Sequence, residues 1–510
     1  MQYEKSSIDP SLEPPTEEGV ILSSPPLTPP LKKKKRRKTR RSVLFNSLNG
    51  TKEERFRALS EAGFNTLSLK KSDVFIDALP DAGISPFENV SLGGTNRILN
   101  SNEVFERCAT NQSFKTLKRA VSKLFGYNYF IPLQQTYGAE QIYISSLLKR
   151  CKSRQKNSNT TMTVISNHLG HIAHTYLNFS QCDIRNVFVD DAFNTAENIE
   201  FKGNFDLVKL ENSIEEIGNL NVPFISISLG CGFTGGQPIS LDNLKTVYLL
   251  AQKHGIPLVM EAANFSENAF FIKKSESKYK TLALQEIIKA QSYYADILVF
   301  PAKKEGEATH GGLLCFKNRS YIQIYWECRH NNYLDEQALV FEKLEGGSGF
   351  FERLTHSLYE KIREEKLTRQ FSQVEKVVEQ LEAIGVPCQQ ASGYAAFVDA
   401  RRLLPHIASE HFPGLTLACE VYKLSGIRTA AFDSVLLGRR PLTKEKIHSS
   451  GDLVPIPIAS GLFSDTYISF ILEVFREIKA NLNHINGLIP TYEPIGLCQN
   501  KARFKEIENE

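Results

Sequence analysis

From about Thr51 onward, short apolar runs rich in β-formers alternate with stretches of helical period. The runs are TVIS (163–166), VFVD (187–190), FISISL (224–229), PLVME (257–261), ILVF (297–300) and GGLLCF (311–316). Between them, Leu241–His254 and Leu282–Ala295 carry apolar residues at i, i+3, i+4 spacing. This alternation predicts βαβ units and a mostly parallel sheet, an α/β fold. Several runs are almost continuously apolar, as strands covered on both faces should be. No run of about 18 apolar residues occurs, so no membrane span is expected.

The texture changes at both ends of this region. Residues 1–45 hold proline clusters followed by a run in which nine of the ten positions from Lys32 to Arg41 are basic. Such a stretch has too little apolar surface to offset its ordering entropy and is expected to be a disordered tail. Residues 46–84 form an expected N-terminal arm, and 85–349 a large domain. After LEGGSG (344–349), one long helix over Glu352–Ile384, a strand at AAFVDA (395–400) and helices around Leu415–Leu424 and Tyr467–Asn483 predict a smaller α+β domain, 350–510.

Charge follows the same division. The tail carries 10 basic and 5 acidic groups, leaving 51 basic and 52 acidic in the rest. A body of charge −1 has no broad field for nucleic acid or anionic membrane, so nucleic acid is an unlikely partner for it. The basic run reads as a nuclear address or a polyanion patch. The N-terminus lacks the apolar stretch of a secretory signal. Cys108, Cys151, Cys182, Cys231, Cys315, Cys328, Cys388, Cys419 and Cys498 are odd in number, widely spaced and without a CxxC pair. They read as small buried hydrophobes in a reducing compartment. A cytoplasmic location is expected, with nuclear entry through Lys32–Arg41 as the alternative.

The clearest chemical signal is ILVFPAKKEGEATHGGLLCF (297–316), in which an apolar strand runs into Lys303 and Lys304. A lysine at a strand end in apolar surroundings can lose basicity and form imines. The strand PLVME ends in Glu261, and ligand chemistry in an open α/β sheet gathers at such carboxyl ends. A carboxylate and a lysine on two strand ends are what pyridoxal phosphate requires: the acid keeps the pyridine nitrogen protonated and the lysine holds the aldehyde carbon. QTYGAEQIYISSLLK (135–149) reads as a turn opening an amphipathic helix, whose first N–H groups suit the cofactor phosphate.

Together with SDVFIDALPDAG (72–83), LFGYNYFIP (124–132), FKGNFDL (201–207), GGQPISLDNLK (235–245), ENAFFIK (267–273), LEGG (344–347) and TYEP (491–494), these stretches resemble the tryptophanase and tyrosine phenol-lyase group. These are β-eliminating lyases of pyridoxal-phosphate fold type I, and the resemblance runs from about Glu61 to Glu493. It implies that Lys304 is the catalytic, Schiff-base lysine, with Lys303 beside the phosphate. It further implies that Gln135 and Gly138 belong to the phosphate cup, and that Glu106 stands where the family has a carboxylate for a monovalent cation such as K+. Glu261 stands where the family has aspartate. A homodimer or homotetramer and an amino-acid-like small-molecule substrate are implied as well.

The departures from the family pattern cluster at the site. Thr136-Tyr137 replaces a Gly-Arg pair. Gly170 replaces the aromatic that stacks on the ring, leaving His168 or His171 to substitute. Gly232 and Asn264 replace the asparagine and arginine at the ring hydroxyl. No arginine occurs in VPIPIASGLFSDTY (454–467), where the family grips the substrate carboxylate; Ile458 or Ser460 takes its place. Pro80, Ala82, Cys108 and Tyr394 replace other pocket residues. Arg428 is a candidate carboxylate cation, though a helix-end or surface arginine is the plainer reading. Two function classes follow: a pyridoxal-phosphate lyase with an altered amino-acid or amine substrate, and, as the alternative, a catalytically inactive family member serving as an interaction scaffold, with a nuclear scaffold addressed by the basic run as one form of it.

Overall fold

The computed structural model describes residues 50–77, 112–133, 136–155, 160–169, 171–302, 311–321, 347–437, 445–458, 465–494 and 501–508. The basic tail lies outside the described residues. Seven strands form one sheet: β1 (Tyr129–Leu133), β2 (Thr163–Ser166), β3 (Asp183–Asn186), β4 (Ile225–Ser228), β5 (Leu258–Glu261), β6 (Ile297–Pro301) and β7 (Gly312–Phe316). Their spatial order is β1-β7-β6-β5-β4-β2-β3. Strands β6, β5, β4, β2 and β3 pair in parallel, and β7 runs antiparallel between β1 and β6. This is an α/β fold with a mostly parallel sheet.

Alternation along each strand divides the sheet's interior into two cores. Ile225, Ile227, Leu258, Met260, Leu298 and Phe300 face one, under helices α2 (Gln112–Phe125), α5 (Leu207–Ile217), α6 (Leu241–Lys253), α7 (Phe265–Ser275) and α8 (Leu284–Tyr293). Phe224, Val259, Ile297 and Val299 face the other, under α3 (Thr136–Arg154) and α4 (His171–Phe179). Crossover helices on both faces explain why these strands are apolar throughout. N-terminal to the sheet, α1 (Lys52–Glu61) starts in a capping box between Thr51 and Glu54.

Two expectations are corrected. VFVD is not a strand. The sheet's edge strand is the preceding segment Asp183–Asn186, whose half-exposed side chains give little apolar signal, while Val187 turns inward to the core. The long helix expected over Glu352–Ile384 is two, α9 (Gly347–Lys361) and α10 (Glu364–Ala383). The break falls at Arg363, which is extended. It is held by buried Lys361, whose Nζ donates to Ala263 O at 3.5 Å, and by an ion pair of Lys273 with Glu364 at 2.9 Å.

Helix α10 packs in a third core with the antiparallel pair β8 (Ala395–Asp399) and β9 (Leu453–Pro457) and with helices α11 (Pro413–Ser425) and α12 (Asp465–Ala480). The sheet region is bolted to β8 by polar side chains. Ser392 Oγ donates to Gly235 O (2.8 Å), Gln237 Nε2 to Gln390 O (2.8 Å), and buried Lys202 to Gln389 Oε1 (3.2 Å). The six described cysteines, Cys151, Cys182, Cys231, Cys315, Cys388 and Cys419, are buried and form no disulfide among themselves.

This third core holds a buried acid pair. Asp433 accepts from Val435 N at 2.9 Å through Oδ1, and its Oδ2 has no partner among the described residues. Burial, then the nearby Asp452 carboxylate, pushes the Asp433 carboxyl up to about 8. An unfolded aspartate titrates near 3.9, so the folded chain holds an extra proton above that pH. Stability carried by this proton is full at low pH and lost as pH rises through the folded value. The stability of the wild type relative to Asp433→Asn is therefore expected to fall as pH rises from about 4 towards 8, measured by urea unfolding across that range. A pH-independent difference would remove this assignment.

Candidate active site

The carboxyl ends of the parallel strands converge on one edge of the sheet, and the functional side chains lie there. Register puts Ser228 level with Glu261, and Glu261 level with Val299. Beyond β6 the chain reaches Ala302, whose N–H donates to Gly311 O at 2.9 Å and whose carbonyl accepts from Ser357 Oγ at 3.5 Å. Lys303 and Lys304 follow directly but lie outside the described residues, as do Gln135, Glu106, Gly170, Pro80, Ala82, Cys108 and Ser460.

Glu261 has the parity of Val259 and so faces the side of the sheet covered by α3. Helix α3 meets it with Tyr143, whose OH donates to Glu261 Oε1 at 3.3 Å. The Tyr143 ring is buried edge-on against Phe224, with centroids 5.6 Å apart. Burial, then the charge of Glu261, raises its phenol well above the usual range, so it stays a neutral donor. One helical step earlier lies Glu140, whose carboxyl oxygen Oε2 is buried and unpartnered among the described residues. Burial and then Glu261's charge raise its proton affinity well above normal. At the start of α3 a Cβ on Gly138 would meet open space. Thr136 is the first residue of that helix, and His171 the first of α4.

Asn167 ties the strand ends together. Its Oδ1 accepts from Ser228 N (2.9 Å), and its Nδ2 donates to Gly203 O (3.1 Å) and Ser228 O (3.2 Å). The next residue, His168, stacks on Phe233 with centroids 4.3 Å apart and planes 15° from parallel. Burial lowers His168 to about 4, so its ring is neutral at physiological pH. Asn264 Nδ2 donates to Gly230 O (2.7 Å) and Leu229 O (3.2 Å), which fixes the turn leaving β4. Gly230 lies at φ +66°, and a Cβ there would come within 2.7 Å of the Asn264 amide.

Gly232 is crowded: a Cβ would come within 2.2 Å of the Phe432 ring. Phe432 packs edge-on against Phe233 at 5.3 Å, and Phe397 stands 6.1 Å from it. Tyr394 extends the cluster, edge-on to Phe397 at 5.4 Å. An aromatic series thus runs from the carboxyl end of β2 to β8. Arg428 is buried, not at the surface, and its Nη1 donates to Leu69 O at 2.8 Å. Ile458 is buried in the core around α10 and β8.

Sequence reasoning singled out Glu261 but assigned nothing to Glu140 or Tyr143. Their i, i+3 spacing at the start of the helix opened by the phosphate turn was the signal that links them. A cavity of about 240 Å³ lined by Thr195, Asp399, Arg401, Arg402 and Asp452 lies elsewhere. There Arg401 pairs with Asp452 at 2.9 Å and Arg402 donates to Thr195 at 3.0 Å.

A β-eliminating lyase family model matches residues 105–471. The chain belongs to the β-eliminating lyase family. It is 40% identical over 457 residues to tryptophanases of Escherichia coli O157:H7 and Shigella boydii serotype 18, covering 90% of this chain and 95% of each relative. Family membership makes the chain a pyridoxal-phosphate-dependent lyase of fold type I. Among solved structures it is similar to a putative aromatic amino acid β-eliminating lyase/threonine aldolase from Exiguobacterium sp. 255-15 (TM-score 0.46, 12% identity, 81% of this chain and 99% of that one). Another is a serine palmitoyltransferase of Sphingomonas wittichii (TM-score 0.45, 12% identity, 85% and 84%).

The described residues fit the cofactor of this family. The Glu261 carboxyl at a strand end suits a protonated pyridine nitrogen, and the open start of α3 suits a phosphate. The crowding at Gly232 yields a test of the aromatic series. Gly232→Asn alone is expected to destabilise, and Phe432→Ala to relieve it. Thermal and urea unfolding of the two singles and the double should give a coupling above about 1 kcal/mol. Additive effects would mean that the ring and the glycine do not share this space.

Proposed function

We propose that this family member catalyses β-elimination on an amino acid or related amine that differs from the substrates of tryptophanase and tyrosine phenol-lyase. The observation that carries the reading is the acidic set Glu261–Tyr143–Glu140 at the end of β5, one strand from the end of β6, which Lys303 and Lys304 follow in the sequence. Bound pyridoxal phosphate would supply an electron sink for the carbanion left when an α-proton departs. In this reading Lys304 would hold the aldehyde carbon until the substrate's amine displaces it, and its freed amine would then take the α-proton; Lys303 with the start of α3 (Gln135, Thr136, Gly138) would hold the phosphate. Glu261 would hold the proton on the ring nitrogen, and the β-substituent would leave with the electron pair of its bond as the α-carbon's pair closes the Cα=Cβ bond.

The altered substrate follows from the carboxylate side. A bidentate arginine–carboxylate clamp is not replaced by an aliphatic side chain or a hydroxyl. Ile458 lies in an apolar core, and Arg428 already donates to a backbone carbonyl. An amine, or an amino acid whose carboxylate is masked or held by other donors, meets this site with less loss than a free α-amino acid. Assembly as a homodimer or homotetramer, a monovalent cation at Glu106 and cytoplasmic residence belong to the same reading.

Reconstituted protein is expected to show the long-wavelength absorption of a lysine-bound cofactor. The band should disappear in Lys304→Ala and after borohydride. A panel of amino acids and amines assayed for released keto or carbonyl product then identifies the substrate. Failure to bind the cofactor would replace this reading with that of a non-catalytic scaffold. For the tail, deleting Lys32–Arg41 from a tagged chain is expected to lower its nuclear fraction, scored by microscopy. An unchanged distribution would discard the basic run as an address.

A further inference from the structure

Glu140 has no role in the preceding account, yet its placement is specific. It lies three residues before Tyr143, so both side chains leave α3 on the same face, towards Glu261. Tyr143 donates to Glu261 Oε1. The Glu140 residue as a whole is half-buried, but its Oε2 has no contact with solvent and no hydrogen-bond partner among the described residues. An ionised carboxylate so placed, facing a second carboxyl, would be strongly disfavoured; a neutral carboxyl is tolerated and is itself a donor.

We propose that Glu140 is a positioning residue for the cofactor site: it stays protonated and, with Tyr143, holds Glu261 as the anion that faces the ring nitrogen. Tyr143 already donates to Glu261, and a proton on the unpartnered Glu140 Oε2 would give that carboxylate a second neutral donor; donors beside a carboxylate stabilise its charged form. A fixed anion at that point favours a protonated ring nitrogen, the state that withdraws electrons from the reacting carbon. The pair therefore carries one negative charge, as two neighbouring carboxyls removed from water cannot both ionise at low cost. This inference rests on the cofactor reading above, and its tests separate the two.

In cofactor-free protein at neutral pH, the infrared difference between wild type and Glu140→Gln is expected to contain the carbonyl stretch of a protonated carboxyl. Absence of that band overturns the proposal whether or not any cofactor binds. The second test compares pyridoxal phosphate with its analogue in which carbon replaces the ring nitrogen. Glu140→Leu is expected to weaken the natural cofactor at least about tenfold, the size of one donor's contribution beside a charged group, and to leave the carbon analogue nearly unchanged. Glu140→Gln, neutral and still a donor, is expected to restore affinity to within about threefold of wild type. Equal weakening of both ligands, or no difference between Gln and Leu, overturns the proposal and assigns Glu140 a packing role. If wild type binds neither ligand, the cofactor reading fails instead, and the infrared result alone decides the state of the pair.

Discussion

Burial of the sheet on both faces is the constraint on which the rest depends. Once α3 and α4 cover one face and α5 to α8 the other, a charged side chain on a central strand has nowhere to go except the strand's end. Along β5, Leu258, Val259 and Met260 are buried apolar residues, and Glu261 follows as soon as the strand reaches the edge. Asn167 holds that edge in shape by satisfying both backbone groups of Ser228. The chemistry is thus gathered at one end because the interior excludes it.

The same constraint explains what was legible in the sequence. Central strands buried on two faces are continuously apolar, so β4, β5, β6 and β7 stand out in the bare sequence, with ends correct to a residue or two. Edge strand β3 has one neighbour and half-exposed side chains, and its signal was captured by the apolar Val187 and Phe188 just after it. The break between α9 and α10 left no trace in periodicity, because both halves carry continuous apolar stripes. The interruption comes from tertiary contacts of Lys361 and Glu364. Glu261 was legible as a strand-end carboxylate. Glu140 and Tyr143 were not, because their meaning depends on which face of α3 packs on which face of β5.

His168 illustrates the other limit. From the sequence it was a candidate to stack on the cofactor ring, and it does stack, but on Phe233. The neutral imidazole extends an aromatic series that continues through Phe432 and Phe397, and Phe432 occupies the space a side chain at position 232 would need. A glycine at 232 and an aromatic at 432 therefore form one steric unit.

The charges around the site make a related point. By the resemblance, the family's arginines at the phosphate turn, ring hydroxyl and substrate carboxylate correspond here to Tyr137, Asn264 and Ile458 or Ser460, while the family's aspartate corresponds to Glu261. With Glu140 neutral and Glu261 ionised, the strand ends present a negative charge where ordinary family members balance theirs with several cations. Such a site attracts ammonium groups and a pyridinium ring and opposes a free carboxylate. In the proposed reading the acid that faces the ring nitrogen is kept as Glu261, while the cations lost lie at the phosphate, the ring hydroxyl and the substrate's carboxylate alike.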